Sequence, residues 1–144
     1  MIIMAVDYGD ARTGLALCDK SELLASPAGV IHEWDMQKTA QAVAKAAGEQ
    51  KAQQIVVGNP LNMNGSAGDR SRLCHEFADL LRQLCPHIPV AMWDERSTTV
   101  SAIHYLNVTD TRGKKRKAVV DAVAATIILE NYLAYRKNHP EEQS

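Results

Sequence analysis

The chain opens with IIMAVDYGDARTG, residues 2–14, in which a short apolar run ends at an acid and turns back within a few residues. Its first five residues are apolar, as in a buried strand, and the Tyr-Gly-Asp of residues 8–10 supplies turn chemistry. Two more apolar runs follow after short links, at residues 14–18 and 23–31. This spacing predicts an antiparallel meander of three strands.

Beyond the meander, the pattern changes to an alternation of helices and strands. Apolar residues recur at helical spacing in several windows, and Asp35 is a suitable cap for the first of them. The predicted elements are helices at 35–50, 69–84, 97–106 and 117–136 and strands at 54–57 and 90–93. Strands followed by helices predict an α/β domain with a mixed sheet flanked by helices. We expect one domain over residues 1–138 and a disordered tail at 139–144.

Composition is that of an ordinary globular protein, with 144 residues of which 46% are hydrophobic. No apolar run approaches the roughly 18 residues that cross a bilayer. Cys18, Cys74 and Cys85 are odd in number and widely spaced, which favours free thiols over disulfides or a zinc site. These features predict a cytoplasmic protein without a membrane partner.

Three acids stand where different elements would deliver them. Asp7 ends the first apolar run, Glu95 follows the run at 90–93, and Asp121 lies near the start of the last helix pattern. Each one alone is equally consistent with a turn, a helix cap or a salt bridge. Together at one sheet edge they would repel each other, so such a cluster usually binds a divalent cation. Carboxylates suit Mg²⁺ or Mn²⁺, which indicates a metal-dependent nuclease.

Basic residues are concentrated near the third acid, although the net charge is only −1. Five of the 16 Lys and Arg residues fall in the segment 112–117, just ahead of Asp121. The segment is either a solvated loop or a phosphate-binding strip. Arg12 lies between Gly9 and Gly14, which allow close approach of a phosphate that this arginine would contact.

Other motifs carry less weight. The Asp-x-Gly start also opens the nucleotide site of actin-like ATPases, but those need two such domains to enclose a nucleotide. Residues 58–60, Gly-Asn-Pro, are predicted to break the strand at 54–57 and begin a loop that is either a ligand site or a long turn. Trp34 and Trp93 are interpreted as packing residues, and the five histidines lack metal-ligand spacing.

Four motifs taken together resemble the YqgF/RuvX family. They are the Asp-x-Gly-x-x-Arg-x-Gly start at 7–14, the Gly-x-Pro-Leu at 58–61, the Asp-Glu-Arg at 94–96, and Asp121 followed by Ala-Ala at 124–125 and Ile-Leu at 128–129. The similarity extends from about residue 1 to residue 136, in the right order and spacing. Each motif is weak alone, but the combination is specific.

The resemblance implies an RNase H-like single domain with a five-stranded mixed sheet and helices on both faces. It also implies that Asp7, Glu95 and Asp121 form the catalytic and metal-binding site, with one or two Mg²⁺ or Mn²⁺ ions. Positions expected to contact substrate are Arg12, Arg96, Lys114, Lys115, Arg116 and Lys117.

The function implied is that of a metal-dependent endonuclease that matures the 5′ end of pre-16S ribosomal RNA. One alternative is a Holliday-junction resolvase acting on branched DNA, which would need two active sites in a two-fold dimer. A second is a non-catalytic RNA-binding or ribosome-associated module. We expect nucleic acid as the partner, in the setting of a nascent small ribosomal subunit, and a protein that is a monomer or weak dimer.

Overall fold

The computed structural model describes residues 1–60, 68–95 and 114–139, and it gives the course of the helix without the side chains over 114–121. The strands are β1 (Ile3–Asp7), β2 (Arg12–Cys18), β3 (Ala25–His32), β4 (Gln54–Asn59) and β5 (Val90–Asp94). The helices are α1 (Met36–Glu49), α2 (Asp69–Leu84) and α3 (Lys114–Asn138).

The five strands form one mixed sheet in the order β3-β2-β1-β4-β5. Strand β2 pairs antiparallel with β1 and β3, whereas β4 pairs parallel with β1 and β5. The predicted meander and the predicted five-stranded mixed sheet are therefore confirmed. Because β1, β4 and β5 run the same way, their carboxyl ends share one edge, which also holds the start of β2 and the end of β3. We call this the carboxyl edge.

Helices cover both faces of the sheet, as predicted. Met4, Val6, Ile55 and Val57 are fully buried on the face covered by α1 and α2. The alternate residues of the same strands, among them Ile3, Ala5 and Val56, are equally buried on the α3 face. The central strands are apolar without interruption because both sides are packed, and a buried aliphatic side chain of this size contributes about 1.5–3 kcal/mol.

Helix α1 begins where its sequence predicts. The side chain of Asp35 accepts a hydrogen bond of 3.0 Å from the backbone N–H of Lys38, which is the usual way to satisfy a free amide in the first turn. Just before it, the amide of Glu33 donates to the carbonyl of Ala11 at 3.1 Å. The cap and this bond fix the end of β3 beside the turn between β1 and β2.

Helix α3 runs across its face in the direction opposite to β1. Near its end, Nε of Arg136 donates to Glu22 at 2.7 Å, and Glu22 follows β2 at the end of the sheet away from the carboxyl edge. Closer to the middle, Tyr132 accepts a hydrogen bond of 2.7 Å from Gln54, the first residue of β4. Ile128 reaches Gly58, near the end of β4. The first turns of α3 therefore point toward the carboxyl edge.

Two expectations from the sequence are wrong in detail. Strand β4 continues through Gly58 and Asn59 because these residues pair with Trp93 and Asp94 of β5, so the predicted break lies two residues too early. Trp34 does not pack, since 78% of its surface is exposed between β3 and α1. Trp93 does pack, with its ring edge-on to two tyrosines of α3.

Several remaining expectations can be placed on the structure. All three cysteines are free and buried, as predicted. No helix in the described segments is both long and apolar enough to cross a membrane. The predicted helix at 97–106 lies outside the described residues. So does the predicted tail, except for His139, whose ring stacks on Tyr135 at 4.1 Å.

Candidate active site

Two of the three predicted acids lie on the same face at the carboxyl edge. Asp7 is the last residue of β1 and alternates in phase with Ile3 and Ala5, which face α3. Glu95 directly follows β5 and is in phase with Trp93, which also faces α3. Both acids are half-buried. The strand order, which places only β4 between β1 and β5, thus brings together two carboxylates that are far apart in sequence.

Gly58 of β4 occupies the position between them. A Cβ built on this glycine would lie 3.0 Å from the carboxyl carbon of Glu95 and 2.6 Å from Cδ1 of Ile128. The side chain of Glu95 therefore crosses the place that any other residue at position 58 would fill. The glycine, which appeared to break the strand in the sequence, instead makes room for the carboxylate.

The surroundings of Glu95 disfavour its charge. Burial raises the pKa of the Glu95 carboxyl above its ordinary value; Arg70 lowers it and Asp94 raises it further. Removal from water and a neighbouring acid both penalise the carboxylate, and Arg70 offsets part of this cost. A half-buried acid with neighbouring acids is a chemical environment suited to a cation.

The turn after Asp7 is tightly constructed. A Cβ on Gly9 would lie 2.1 Å from the backbone carbonyl oxygen of Arg12, so only glycine fits. The buried hydroxyl of Thr13 accepts from the Gly9 amide at 3.3 Å. This turn brings Arg12, exposed at the start of β2, to the edge at which Asp7 lies.

The other predicted site residues are only partly placed. Asp121 belongs to α3, on a stripe with Ala125 and Ile128, which are buried against the sheet. Lys114, Lys115, Arg116 and Lys117 form the first turn of α3. The side chains of these five residues, and all of Arg96, lie outside the described residues. Among the side chains that are described, no three His, Cys, Asp or Glu residues are placed to hold a metal ion, so the three-carboxylate cluster remains a prediction.

Two features near the site were missed from the sequence. Arg70, in the first turn of α2, forms an ion pair of 2.6 Å with Asp10 in the turn after β1. Its neighbour Ser71 is fully buried and donates a hydrogen bond of 2.6 Å to the side chain of Asn59 at the end of β4. The Asp-Arg-Ser at 69–71, at a predicted helix start after a glycine-rich loop, is the only sequence signal that would have drawn attention to them.

A groove of about 590 Å³ lies at the opposite end of the sheet, between the turn after β2 and the last turns of α3. Its wall includes Leu23 and Leu24, which are 80% and 68% exposed. Glu22 and Glu130 also line it, but Glu22 is bound by Arg136 and by the N-terminal amine, and both acids lie far from Asp7 and Glu95.

Comparison with known proteins shows which sequences this chain resembles. Residues 1–135 match the family described as RuvX: Holliday junction resolvase. A protein of Halothermothrix orenii, named "Putative pre-16S rRNA nuclease", is 40% identical over 136 residues, which are 94% of this chain and 96% of that protein. One of the same name from Carboxydothermus hydrogenoformans is 37% identical over 139 residues, which are 96% of this chain and 100% of that protein.

Solved structures agree on the fold. Thermus thermophilus RuvC in complex with a Holliday junction substrate superimposes with a TM-score of 0.62 at 11% identity, over 95% of this chain and 96% of that one. The fowlpox virus resolvase bound to Holliday junction DNA gives 0.58 at 10% identity, over 94% and 98% of the two chains. The expected RNase H-like fold is confirmed. With the family model covering nearly the whole sequence, the chain belongs to the RuvX family.

Proposed function

We propose that this protein is a divalent-metal-dependent endonuclease that hydrolyses phosphodiester bonds during 5′-end maturation of pre-16S ribosomal RNA. The observation that carries the proposal is the placement of Asp7 and Glu95 on one face of the carboxyl edge, with Gly58 between them. The relatives of 37–40% identity named as pre-16S rRNA nucleases support the choice of substrate. The substrate would be met in the cytoplasm, on a nascent small ribosomal subunit.

The residues present fit a hard divalent cation. Asp7 and Glu95 offer carboxylate oxygens, and the missing side chain of Gly58 leaves space where a Cβ would obstruct Glu95. Burial penalises a lone charge at Glu95, and a bound cation would offset that penalty. Mg²⁺ or Mn²⁺, as one or two ions, would be held by Asp7, Glu95 and Asp121. When bound, such ions supply Lewis-acid activation of water and charge neutralisation at phosphate.

The direction of α3 supports the inclusion of Asp121. Ile128 lies at Gly58, and Asp121 is seven residues nearer the start of the helix. At a rise of 1.5 Å per residue, this is about 10 Å farther along the axis toward the carboxyl edge. The phase of the buried stripe, with Ala125 and Ile128 on the sheet, fits the same assignment.

The chain's own residues would position the nucleic acid rather than react with it. Arg12, exposed at the edge beside Asp7, would neutralise a phosphate near the cut. Lys114, Lys115, Arg116 and Lys117, in the first turn of α3 beyond Asp121, would contact phosphates farther along the strand, as would Arg96. The carboxylates would fix where the scissile phosphate lies, because any ion shared with the phosphate is held at their oxygens.

A second candidate function is resolution of Holliday junctions in DNA, which the description of the matching family favours. The same carboxylates would serve, but paired cuts require two sites related by a two-fold axis. We propose a monomer or weak dimer, for which a single-strand cut in RNA is the simpler task. A non-catalytic RNA-binding role is the third possibility, and it predicts no cleavage under any metal.

The experiment compares wild type with Asp7→Asn on two substrates, pre-16S RNA in precursor particles and a synthetic four-way DNA junction, in Mg²⁺ or Mn²⁺. Asp79→Asn is a matched control, because Asp79 is an exposed acid of α2 paired with Arg82 at 2.8 Å. Mn²⁺ binding, followed by electron paramagnetic resonance, gives a readout that does not depend on activity.

We expect metal-dependent cutting of the RNA by wild type and by Asp79→Asn, and its loss in Asp7→Asn together with weaker Mn²⁺ binding. Symmetric paired cuts in the junction alone would replace the RNA assignment with junction resolution. Full activity of Asp7→Asn would overturn the metal mechanism, and an absence of cutting by wild type on both substrates would favour the binding role.

A further inference from the structure

We propose that Arg70 is a substrate-positioning residue that holds a backbone phosphate of the nucleic acid at the carboxyl edge, on the side opposite to α3. The inference rests on the proposed nuclease function and assigns a contact on the side of the edge opposite to the basic first turn of α3. It is carried by three features of Arg70: where α2 places it, how its guanidinium is held, and which of its atoms remain available.

Helix α2 starts at the carboxyl edge because Ser71 is bound to the end of β4. The hydroxyl of Ser71 donates to the side chain of Asn59 at 2.6 Å, and both residues are buried. Strand β4 lies between β1, which ends at Asp7, and β5, which Glu95 directly follows. Arg70, next to Ser71, is therefore held beside the acids, and its influence on the pKa of Glu95 agrees with this proximity.

The guanidinium is fixed from two sides. Its Nη1 bonds to Asp10 at 2.6 Å, and its Nη2 donates to the backbone carbonyl of Tyr8. Its central carbon lies 5.1 Å from the centre of the Tyr8 ring, which is stacked in turn on Phe77 of the core. A flexible arginine loses much side-chain freedom on binding a phosphate, and here most of that loss is already incurred in folding.

The contacts that hold Arg70 do not use all of its hydrogen-bond donors. A guanidinium has five N–H groups, and the contacts to Asp10 and Tyr8 use two of them within the described part of the chain. Its side chain remains 35% exposed at the edge, and three N–H groups of its planar fork are not used by these two contacts. This is the arrangement by which arginine binds the two oxygens of a phosphate.

The sheet edge separates Arg70 from the two acids and from the start of α3. Asp7, Glu95 and the start of α3 belong to the α3 face, whereas Tyr8 and Phe77 belong to the face covered by α1 and α2. A nucleic acid strand that crosses the edge would meet the basic turn of α3 on one side and Arg70 on the other. Two anchors on either side of the acids would fix the scissile bond between them.

A purely structural role for the Arg70–Asp10 pair makes different predictions. If the pair only joined α2 to the turn after β1, loss of either partner would lower stability and leave the affinity of the folded protein unchanged. If Arg70 binds phosphate, loss of Arg70 weakens binding. Asp10→Asn removes a carboxylate that competes for the same guanidinium, while the Tyr8 carbonyl and ring still hold it, so binding is not weakened.

The test uses Arg70→Gln, Arg70→Lys and Asp10→Asn, with Arg72→Gln as the matched control. Arg72 is on the same helix and is also paired to an acid, Asp69 at 3.6 Å, but is 71% exposed. Affinity for labelled pre-16S RNA and for a four-way DNA junction is measured without divalent metal over a range of salt. Thermal unfolding is measured in parallel, and cleavage is then measured with Mg²⁺.

We expect Arg70→Gln to weaken binding about tenfold and to reduce the salt slope by about one, with Arg70→Lys intermediate and Asp10→Asn as tight as wild type or tighter. Equal affinity and slope for Arg70→Gln and Arg72→Gln would overturn the assignment, as would equal weakening by Asp10→Asn. In that case wild-type cleavage still supports the proposed nuclease. Absence of wild-type cleavage on both substrates instead overturns the nuclease function itself.

Discussion

The carboxyl group of Glu95 lies over Gly58, so close that a Cβ on the glycine would be 3.0 Å from the Glu95 carboxyl carbon. The same Cβ would be 2.6 Å from Cδ1 of the buried Ile128. We expect Gly58→Ala to destabilise the fold by about 1–3 kcal/mol through overpacking, and to abolish most cleavage because Glu95 is displaced. Denaturant unfolding and cleavage assays measure the two effects.

Two further variants separate packing from chemistry at this position. Ile128→Val removes the atom in closest conflict, so Gly58→Ala/Ile128→Val should regain much of the lost stability while cleavage stays low. Gly48→Ala is the control, since nothing lies within 4 Å of its added Cβ and a helical site gains about 0.5–1 kcal/mol from alanine. Full recovery of cleavage in the double variant would contradict the assigned role of Gly58.

The carboxylate of Glu95 should cost the metal-free protein stability. Burial raises the pKa of Glu95 in the folded state above its value in the unfolded state. The ionised carboxylate therefore lowers the free energy of unfolding at neutral pH, and this loss disappears as pH falls through the folded-state pKa toward the unfolded-state pKa. At pH 7 in a chelator, we expect Glu95→Gln to raise the melting temperature by about 2 °C while abolishing cleavage. Mn²⁺ should then stabilise wild type more than the variant. A lower melting temperature for Glu95→Gln would show that the carboxylate is already compensated.

The buried hydrogen bond between Ser71 and Asn59 should contribute both to stability and to nucleic acid affinity. Ser71→Ala removes the donor at 2.6 Å and leaves the Asn59 oxygen unsatisfied, which costs about 1–3 kcal/mol. Because this bond fixes the start of α2, nucleic acid affinity should fall as well. Ser71→Ala/Asn59→Leu removes both polar partners and should recover part of the stability without the affinity. Unchanged unfolding in Ser71→Ala would refute the coupling.

The stability that Glu22 contributes at the opposite end of the sheet should depend on pH. Burial alone would raise the pKa of Glu22, but hydrogen bonds from Arg136 at 2.7 Å and from the N-terminal amine at 3.1 Å lower it. A carboxyl group whose pKa is lower in the folded than in the unfolded state stabilises the fold at pH values above the unfolded-state pKa. This stabilisation is lost as pH falls through the folded-state pKa. We expect Glu22→Gln to cost about 1 kcal/mol at pH 7 and the difference to disappear as pH falls through the lowered pKa of Glu22. A difference that is constant with pH would contradict this.

Much of the fold follows from local patterns. The spacing of Leu73, Phe77 and Leu81 predicts α2 with its observed limits, and the Asp35 cap places α1 within a residue. The alternation of short apolar runs and turns predicts the antiparallel half of the sheet. The sequence predicts three acids at one sheet edge, and the structure places Asp7 and Glu95 there because the carboxyl ends of parallel strands share an edge.

What could not be predicted depends on partners distant in sequence. Gly58 reads as a strand breaker until its pairing with Trp93 and the path of Glu95 are known. Arg70 looks like any exposed residue at a helix start, and only the approach of Asp10 and Tyr8 distinguishes it. Trp34 is a large apolar residue of the kind that usually packs in a core, but its position between β3 and α1 leaves it exposed.

The position of β4 between β1 and β5 has a consequence for synthesis and folding. The antiparallel strands need only nearby residues and can form early, whereas the parallel pairs join distant segments and are slower to form. Asp7 and Glu95 therefore meet only once β1, β4 and β5 have all joined the sheet. A chain that is half made, or trapped before these strands have paired, has no carboxylate pair, so a cutting activity housed there would arise only in the finished protein.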